Sequence, residues 1–329
     1  MTLPDGTPAE PDAAGARDRA QLDRPGGLAG AVAQETVLEH PEEAAGGRGK
    51  DVLRRLRRSP TAIIGATLIL FFVIVAVFAP WIAPYSPTEI DLTDIRPGDF
   101  PGPSREHPLG LDNLGRDELS RIIYGARYSL IIGVVSVSIG ASAGMLLGLV
   151  AGAFGGWVDN VIMRLVDIML AVPSLLAAIG IAALLGRSLT SVMIAIGVVN
   201  IPIFARLLRG AMLSQRESDY ALAATSLGVK RWRVTLQHVF PNSLAPVIVQ
   251  GTLALATAII DAAGLAFLGL GSQDPAIPEW GRMLADTQSF LASEPLLALW
   301  PGLAIMISVL GFYLFGEALR EALDPKLRR

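Results

Sequence analysis

The chain has no cysteine in 329 residues and only three histidines. Absent thiols exclude disulfides, thiolate metal sites and cysteine nucleophiles, and they leave no redox clue to compartment. His40, His107 and His238 lie far apart along the chain, so no histidine-built metal centre is expected. Charge is scarce as well. Only 17% of residues are Asp, Glu, Lys or Arg, and the formal net charge is −3. That balance lacks the basic excess a phosphate backbone requires, and no aromatic-and-basic platform for single strands is visible, so nucleic acid is not an expected partner. The first 50 residues lack the apolar core of a signal peptide. Rich in Pro, Gly, Ala and charge, they are expected to form a disordered tail. Within them, "GGRGKD" lacks the spaced first glycine and the closing Ser or Thr of a phosphate loop, so no nucleotide site is expected there.

What the chain does have is hydrophobic length. With 52% hydrophobic residues and a mean hydropathy of +0.49, it is too apolar for an ordinary soluble domain. Six stretches, at about 60–83, 129–153, 158–185, 189–213, 242–270 and 296–316, approach or exceed the roughly 20 residues that cross a bilayer core. Backbone groups in lipid must be satisfied within each segment, and these segments are too long for barrel strands. The expected fold class is an all-α polytopic membrane protein with six transmembrane helices.

Basic residues near the span ends set the expected orientation. Arg54, Arg55, Arg57 and Arg58 precede the first span, and Arg320, Lys326, Arg328 and Arg329 follow the sixth. Arg206, Arg209, Arg216, Lys230, Arg231 and Arg233 flank the loop between the fourth and fifth. Six crossings put all three groups on one side, the cytoplasmic one, with both termini inside. The loop at about 84–128, with five arginines against eight acids, falls outside.

The longest cytoplasmic loop, about 214–240, has a pattern of its own. Glu217, Ser218 and Asp219 make an acidic, cap-competent helix start. "YALAATSL" continues with good helix formers, and Gly228 is a natural stop. So short a helix is marginal alone and needs a surface to lie on. Tyr220, Ala223, Ala224 and Leu227 recur at spacings of three and four, giving one face with an aromatic anchor, two small residues and a leucine. Such a face suits a groove on a partner, and packing on the chain's own bundle fits the same pattern. Pro241 suits the first turn of the fifth span.

Ala223, Ala224, Gly228 and Pro241, set around a basic stretch, resemble the EAA loop of permease subunits in bacterial ABC importers. "HPLGLDNLGRDELSRIIYGARYSL" (107–130), "FLGLG" (267–271), "PEWGRML" (278–284) and "LREALDPKLR" (319–328) are together similar to the C-type permeases of dipeptide and oligopeptide importers. The resemblance covers about residues 52–329. It implies a type I ABC importer permease fold in the bacterial cytoplasmic membrane. The expected organisation is a tail at 1–50, a first transmembrane helix with an extracytoplasmic segment at 51–128, a permease core at 129–318 containing the coupling loop 214–240, and a C-terminal tail at 319–329. The resemblance also implies a second permease subunit, two ATPase subunits, an external substrate-binding protein and a peptide substrate. ATP and Mg would be bound by the ATPases, so no cofactor is expected on this chain. A helix carrying Asp219, Tyr220, Ala223, Ala224, Leu227 and Gly228, with Lys230 and Arg231 after it, would dock into an ATPase cleft and transmit its closure. The family commonly has Glu where Leu222 stands here, so that any ion pair made by the Glu is absent and docking rests more on shape and on Arg or Lys. Nickel, glutathione and other small solutes use relatives of the family, which leaves the cargo open.

Polar residues inside the apolar segments are few. Asp261 lies within the fifth span, where a charged carboxylate costs about 2.5–3.5 kcal/mol unless paired, hydrated or neutral. It either lines the translocation pathway or makes an internal structural hydrogen bond. Arg164 and Asp167, three apart, are expected to pair. Gly133, Gly140, Gly144, Gly148 and Gly152 give the second span a small-residue seam for close helix crossing. From about Asp117, with Leu119, Ile122 and Ile123 on one side, an amphipathic helix is expected at the outer membrane surface or sealing the bundle. A membrane-embedded enzyme would show converging nucleophile, base or metal ligands, and none is visible. A lone ion-coupled carrier would show inverted repeats and broken helices, and it would leave the docking loop without a role.

Overall fold

The computed structural model describes residues 41–91 and 101–324, and the described residues are helical apart from loops and one isolated bridge between Leu111 and Asp117. Helix α1, Pro41–Arg58, opens on proline and carries Arg55, Arg57 and Arg58 in its last turn, where the helix dipole favours positive charge. The tail expected to be disordered through residue 50 is therefore helical from Pro41; residues 1–40 lie outside the described residues. Helix α2, Pro60–Ile82, starts behind a Ser59 cap with proline in first position. Leu70, Phe71, Val77 and Trp81 stand exposed along it, an apolar exterior that lipid covers and water does not.

Helix α3, Glu118–Phe154, is capped by the Asp117 side chain. α4, Gly156–Ala171, and α5, Ser174–Leu185, follow, then α6, Leu189–Arg216, and α7, Asp219–Ser226. After a bent connection come α8, Leu244–Phe267, the short α9, Trp280–Asp286, and α10, Pro295–Leu323. Among the described residues, α2, α3, α6, α8 and α10 are long and apolar enough to cross a membrane, and α4 with α5 makes a sixth span if the pair is one broken crossing.

Three expectations change here. The third span, expected as one apolar stretch at 158–185, bends by 91° between α4 and α5. Pro173 lacks an N–H and forces Val172 into extended backbone (φ −90, ψ 130), which ends α4. The expected boundary at 128/129 falls inside α3, and the amphipathic stretch after Asp117 is the opening of that helix rather than a separate surface element. At the other end, α10 continues through Leu323, into the segment expected to be a tail.

The glycine seam of the second span is the crossing of α3 with α6. A Cβ on Gly144 would lie 2.5 Å from the Ile201 carbonyl oxygen and 2.6 Å from Phe204 Cβ, and one on Gly148 would lie 2.6 Å from the Ala205 oxygen. Gly140 and Gly152 meet Asn200 and Met212 of α6 in the same way, whereas Gly133 faces α8. Phe204, Leu208 and Met212 are fully buried there, beside Leu265 of α8. A second close crossing sets Gly65 of α2 against the backbone of Phe315 in α10. No ion pair joins Arg164 to Asp167 among the described residues. Arg206, brought across from α6, takes Asp167, and Arg209 binds Asp159 through two hydrogen bonds of 3.0 and 2.5 Å.

Residues 101–117 fold as a clamp over the start of α3. Leu111 N donates to the Pro101 carbonyl at 3.0 Å and Glu118 N to the Gly110 carbonyl at 3.1 Å. Asp112 accepts from Arg116 Nε at 2.7 Å and sits 3.3 Å from Arg121 Nε, while Arg116 Nη1 donates to the Pro275 carbonyl at 2.7 Å. The turn-rich run thus ties α3 to the loop after α8. Trp280 closes the same joint, its indole donating to the Ile122 carbonyl at 3.0 Å. Glu279 caps α9 with both oxygens, accepting from Gly281 N and Arg282 N. Burial pushes its carboxyl up to about 7, against the lowering effect of those two backbone hydrogen bonds.

Candidate coupling surface

Helix α7 lies at the end of the bundle opposite this clamp, two residues beyond the end of α6. Arg216, the last residue of α6, donates to the Gly152 carbonyl at 2.9 Å and fixes that corner. Ser218 is the N-cap residue of α7, yet its hydroxyl donates to the Gln215 carbonyl at 2.6 Å instead of capping the helix. Asp219 occupies the first turn, where its charge suits the helix dipole. At the far end Gly228 N donates to the Thr225 carbonyl and Val229 N to the Ala224 carbonyl, the paired bonds of a Schellman motif. Gly228 has φ +79 and open space where a Cβ would stand, so glycine is required here by backbone conformation and not by crowding.

Burial along α7 decides which side is free. Ala221 is 2% exposed and Ala224 is partly buried; both pack on the core that also holds Val229, Val234 and Val239. The outward side carries Asp219, Leu222, Ala223 and Ser226, followed by Leu227, which is 84% exposed. Tyr220 sits at the edge, its hydroxyl donating to Gln215 Oε1 at 2.6 Å. The expected face of Tyr220, Ala223, Ala224 and Leu227 is therefore split. Ala223 and Leu227 point away from the bundle and Ala224 points into it. "ALAATS" offers two equivalent small-residue stripes, and contact with the bundle uses Ala221 and Ala224 at spacing three.

Lys230 and Arg231 are exposed at the start of a short turn, Arg231–Arg233. A π-helical stretch, Val234–Val239, and a second turn, Phe240–Asn242, complete the route to α8. Wide π turns of this kind recur at functional bends. Pro241 stands in the second turn, ahead of Ser243 and of the first residue of α8, so it leads into the span rather than starting it.

Asp261 lies in α8, partly exposed, between the buried Ile259 and Ala262. Among the described residues no hydrogen bond or ion pair engages its carboxylate. His107 bonds Asp117 at 2.9 Å and lies 3.6 Å from Asp91. No group of three His, Cys, Asp or Glu is arranged for a metal ion among the described residues.

Two family models match the sequence of this chain. The binding-protein-dependent transport system inner membrane component covers residues 144–329, more than half of the chain, and the N-terminal TM domain of oligopeptide transport permease C covers 47–103. The chain belongs to the binding-protein-dependent importer permeases. It is 47% identical to the dipeptide transport system permease protein DppC of Alkalihalophilus pseudofirmus, over 85% of this chain and 90% of that relative. It is 45% identical to the di/tripeptide transport system permease protein DppC of Pseudomonas aeruginosa, over 85% of this chain and 92% of the relative. The glutathione transport system permease protein GsiD of Pectobacterium atrosepticum is 39% identical, over 85% of this chain and 91% of its own length. Inward-facing conformations of the MetNI methionine ABC transporter superpose with a TM-score of 0.50 at 16% identity, covering 62% of this chain and 97% of that one, a likeness of fold alone.

This permease is thus a multi-pass inner-membrane subunit of an ABC importer and not an enzyme; it works with ATPase and substrate-binding partners. The residue that sequence reasoning missed is Ala221. Its signal was present in the spacing to Ala224, but nothing in the sequence ranked that stripe above the one through Tyr220 and Ala223.

Proposed function

We propose that this permease forms one half of a translocation pathway for dipeptides and short oligopeptides, with a second permease as the other half, and that the outward face of α7 docks into an ATPase subunit. The observation that carries this reading is the exposure of Leu227 and Leu222 on a helix whose opposite side is anchored by Ala221 and Ala224. Large apolar side chains left bare at a span-free end of the bundle call for a partner surface. The peptide cargo follows the relatives named for dipeptides and di/tripeptides. The basic residues at the ends of α1, α6 and α10 support cytoplasmic placement of α7 and of both termini.

ATP and Mg belong to the two ATPase subunits in this scheme. When they close, α7 is displaced; its anchor residues and the π-helical stretch pass the movement to α8, the helix that carries Asp261. Asp261, with no partner among the described residues, serves as a pathway-lining group. Ala223→Arg tests the joint, because a packed groove resists added bulk by about 1–3 kcal/mol. The variant should insert and fold, yet lose co-purifying ATPase or uncouple hydrolysis from peptide uptake, while Thr225→Ser changes little. Wild-type co-purification and uptake in Ala223→Arg would remove α7 as the joint. Ala224→Arg is not equivalent, since that side chain meets the permease's own core.

A further inference from the structure

A groove of about 430 Å³ lies between the last turns of α3 and the segment after α7 that opens the π-helical stretch. Leu149, Val150 and Phe154 line one wall, Leu236 the other, and Trp232 and Arg231 stand at the mouth. The groove does not end at the helix terminus. Leu146, Val150 and Phe154 recur every four residues along α3, so the apolar wall continues as a stripe into the membrane-crossing part, with Leu146 62% and Phe154 73% exposed. Its other end is basic and aromatic. The Arg233 guanidinium lies 5.5 Å from the Trp232 ring centroid, and Trp157 stands exposed just past Phe154. Among the described residues, no carboxylate lies within ion-pair distance of Lys230, Arg231 or Arg233.

We infer that this groove holds an anionic phospholipid, its acyl chain along the Leu146–Phe154 stripe and its phosphate at Arg231 and Arg233. A soluble protein segment would need the basic mouth but not an apolar wall that runs on into the bilayer. A lipid needs both, and exposed tryptophans mark the headgroup level where such a molecule turns from chain to head. The phosphate would lie on the segment that joins α7 to the π-helical stretch, so the composition of that leaflet would bear on how firmly α7 is seated. The inference rests on the cytoplasmic placement of α7 only for which leaflet supplies the lipid.

The native chain has no cysteine, so Leu236→Cys can carry a photoactivatable benzophenone as the sole thiol-linked probe in this subunit. The full importer is reconstituted in nanodiscs of equal parts phosphatidylglycerol and phosphatidylcholine, irradiated, and the adducts are identified by mass spectrometry. Phosphatidylglycerol adducts should exceed phosphatidylcholine adducts several-fold. Arg231→Gln with Arg233→Gln should bring that preference down to near parity, since each removed charge forfeits attraction to an anionic headgroup. Val150→Trp, which fills the groove and leaves the mouth intact, should lower adducts of both lipids. Adducts to the ATPase or to the second permease in place of lipid would overturn the inference, as would equal capture of the two lipids. Because adducts are read apart from uptake and ATPase co-purification, failure here is distinguishable from failure of the coupling role of α7.

Discussion

Gly144→Ala adds one methyl group at the tightest point of the α3–α6 crossing. The new Cβ would lie 2.5 Å from the Ile201 carbonyl oxygen, whereas ordinary contact begins near 3.4 Å, so the helices must part locally by about 0.9 Å. The obstructing atoms are backbone and a Cβ, which cannot swing aside as a side-chain tip could. Overpacking of this kind costs about 1–3 kcal/mol. Against it stands the roughly 0.5–1 kcal/mol that alanine gains over glycine inside a helix. Gly210→Ala is the matched control, on α6 with nothing within 4 Å of the added carbon, and it receives the gain without the clash. Because both variants share the helix gain, they should differ by the clash alone, about 1–3 kcal/mol, read as the midpoint of denaturant unfolding of the purified permease in detergent, with helix content followed by circular dichroism. Equal midpoints would refute the assignment of the glycine seam to this crossing.

Two further predictions concern the ends of the bundle. Gly228→Ala should destabilise the Schellman end of α7 by about 1–2 kcal/mol, since alanine resists φ +79 even with room for its methyl group; faster proteolysis after α7 is the readout, and an unchanged rate would contradict it. For Glu279, the folded chain retains a proton between about 4.5 and about 7 that the unfolded chain has lost, so its contribution to stability is full below about 4.5 and falls as pH rises through that window. The total is at most on the order of 3 kcal/mol. Thermal midpoints at about pH 5 and about pH 8 should therefore differ more in the wild type than in Glu279→Gln, and identical pH slopes would dismiss the carboxyl as their source.

The spans were legible because lipid exposure leaves long apolar runs, and each run reports itself without reference to its neighbours. The bend at Val172–Pro173 was not taken from the sequence, although Pro173 carries its physical cause. The seam glycines announced a close crossing but not its partner, because spacing four describes one surface and says nothing about which helix meets it. The same limit applied to α7. Its length, its cap at Gly228 and its isolation between spans were readable, whereas the choice of Ala221 and Ala224 as the anchored side depends on the core formed by α6 and the π-helical stretch. The clamp at 101–117 was least legible. Its ion pairs join Asp112 to Arg116 and Arg121, and its anchor to Pro275 lies 159 residues from Arg116, beyond any local pattern.

The central claim, that the outer face of α7 is the joint to the ATPase, is tested most directly by position-specific cross-linking. Leu227→Cys and, separately, Ala221→Cys are labelled with a short photoactivatable probe in the assembled importer within native membranes. The account predicts a product containing the ATPase subunit from Leu227→Cys and none from Ala221→Cys, whose side chain is 2% exposed in the bundle. Capture of the ATPase from neither position, in an importer that still imports peptide, would contradict it.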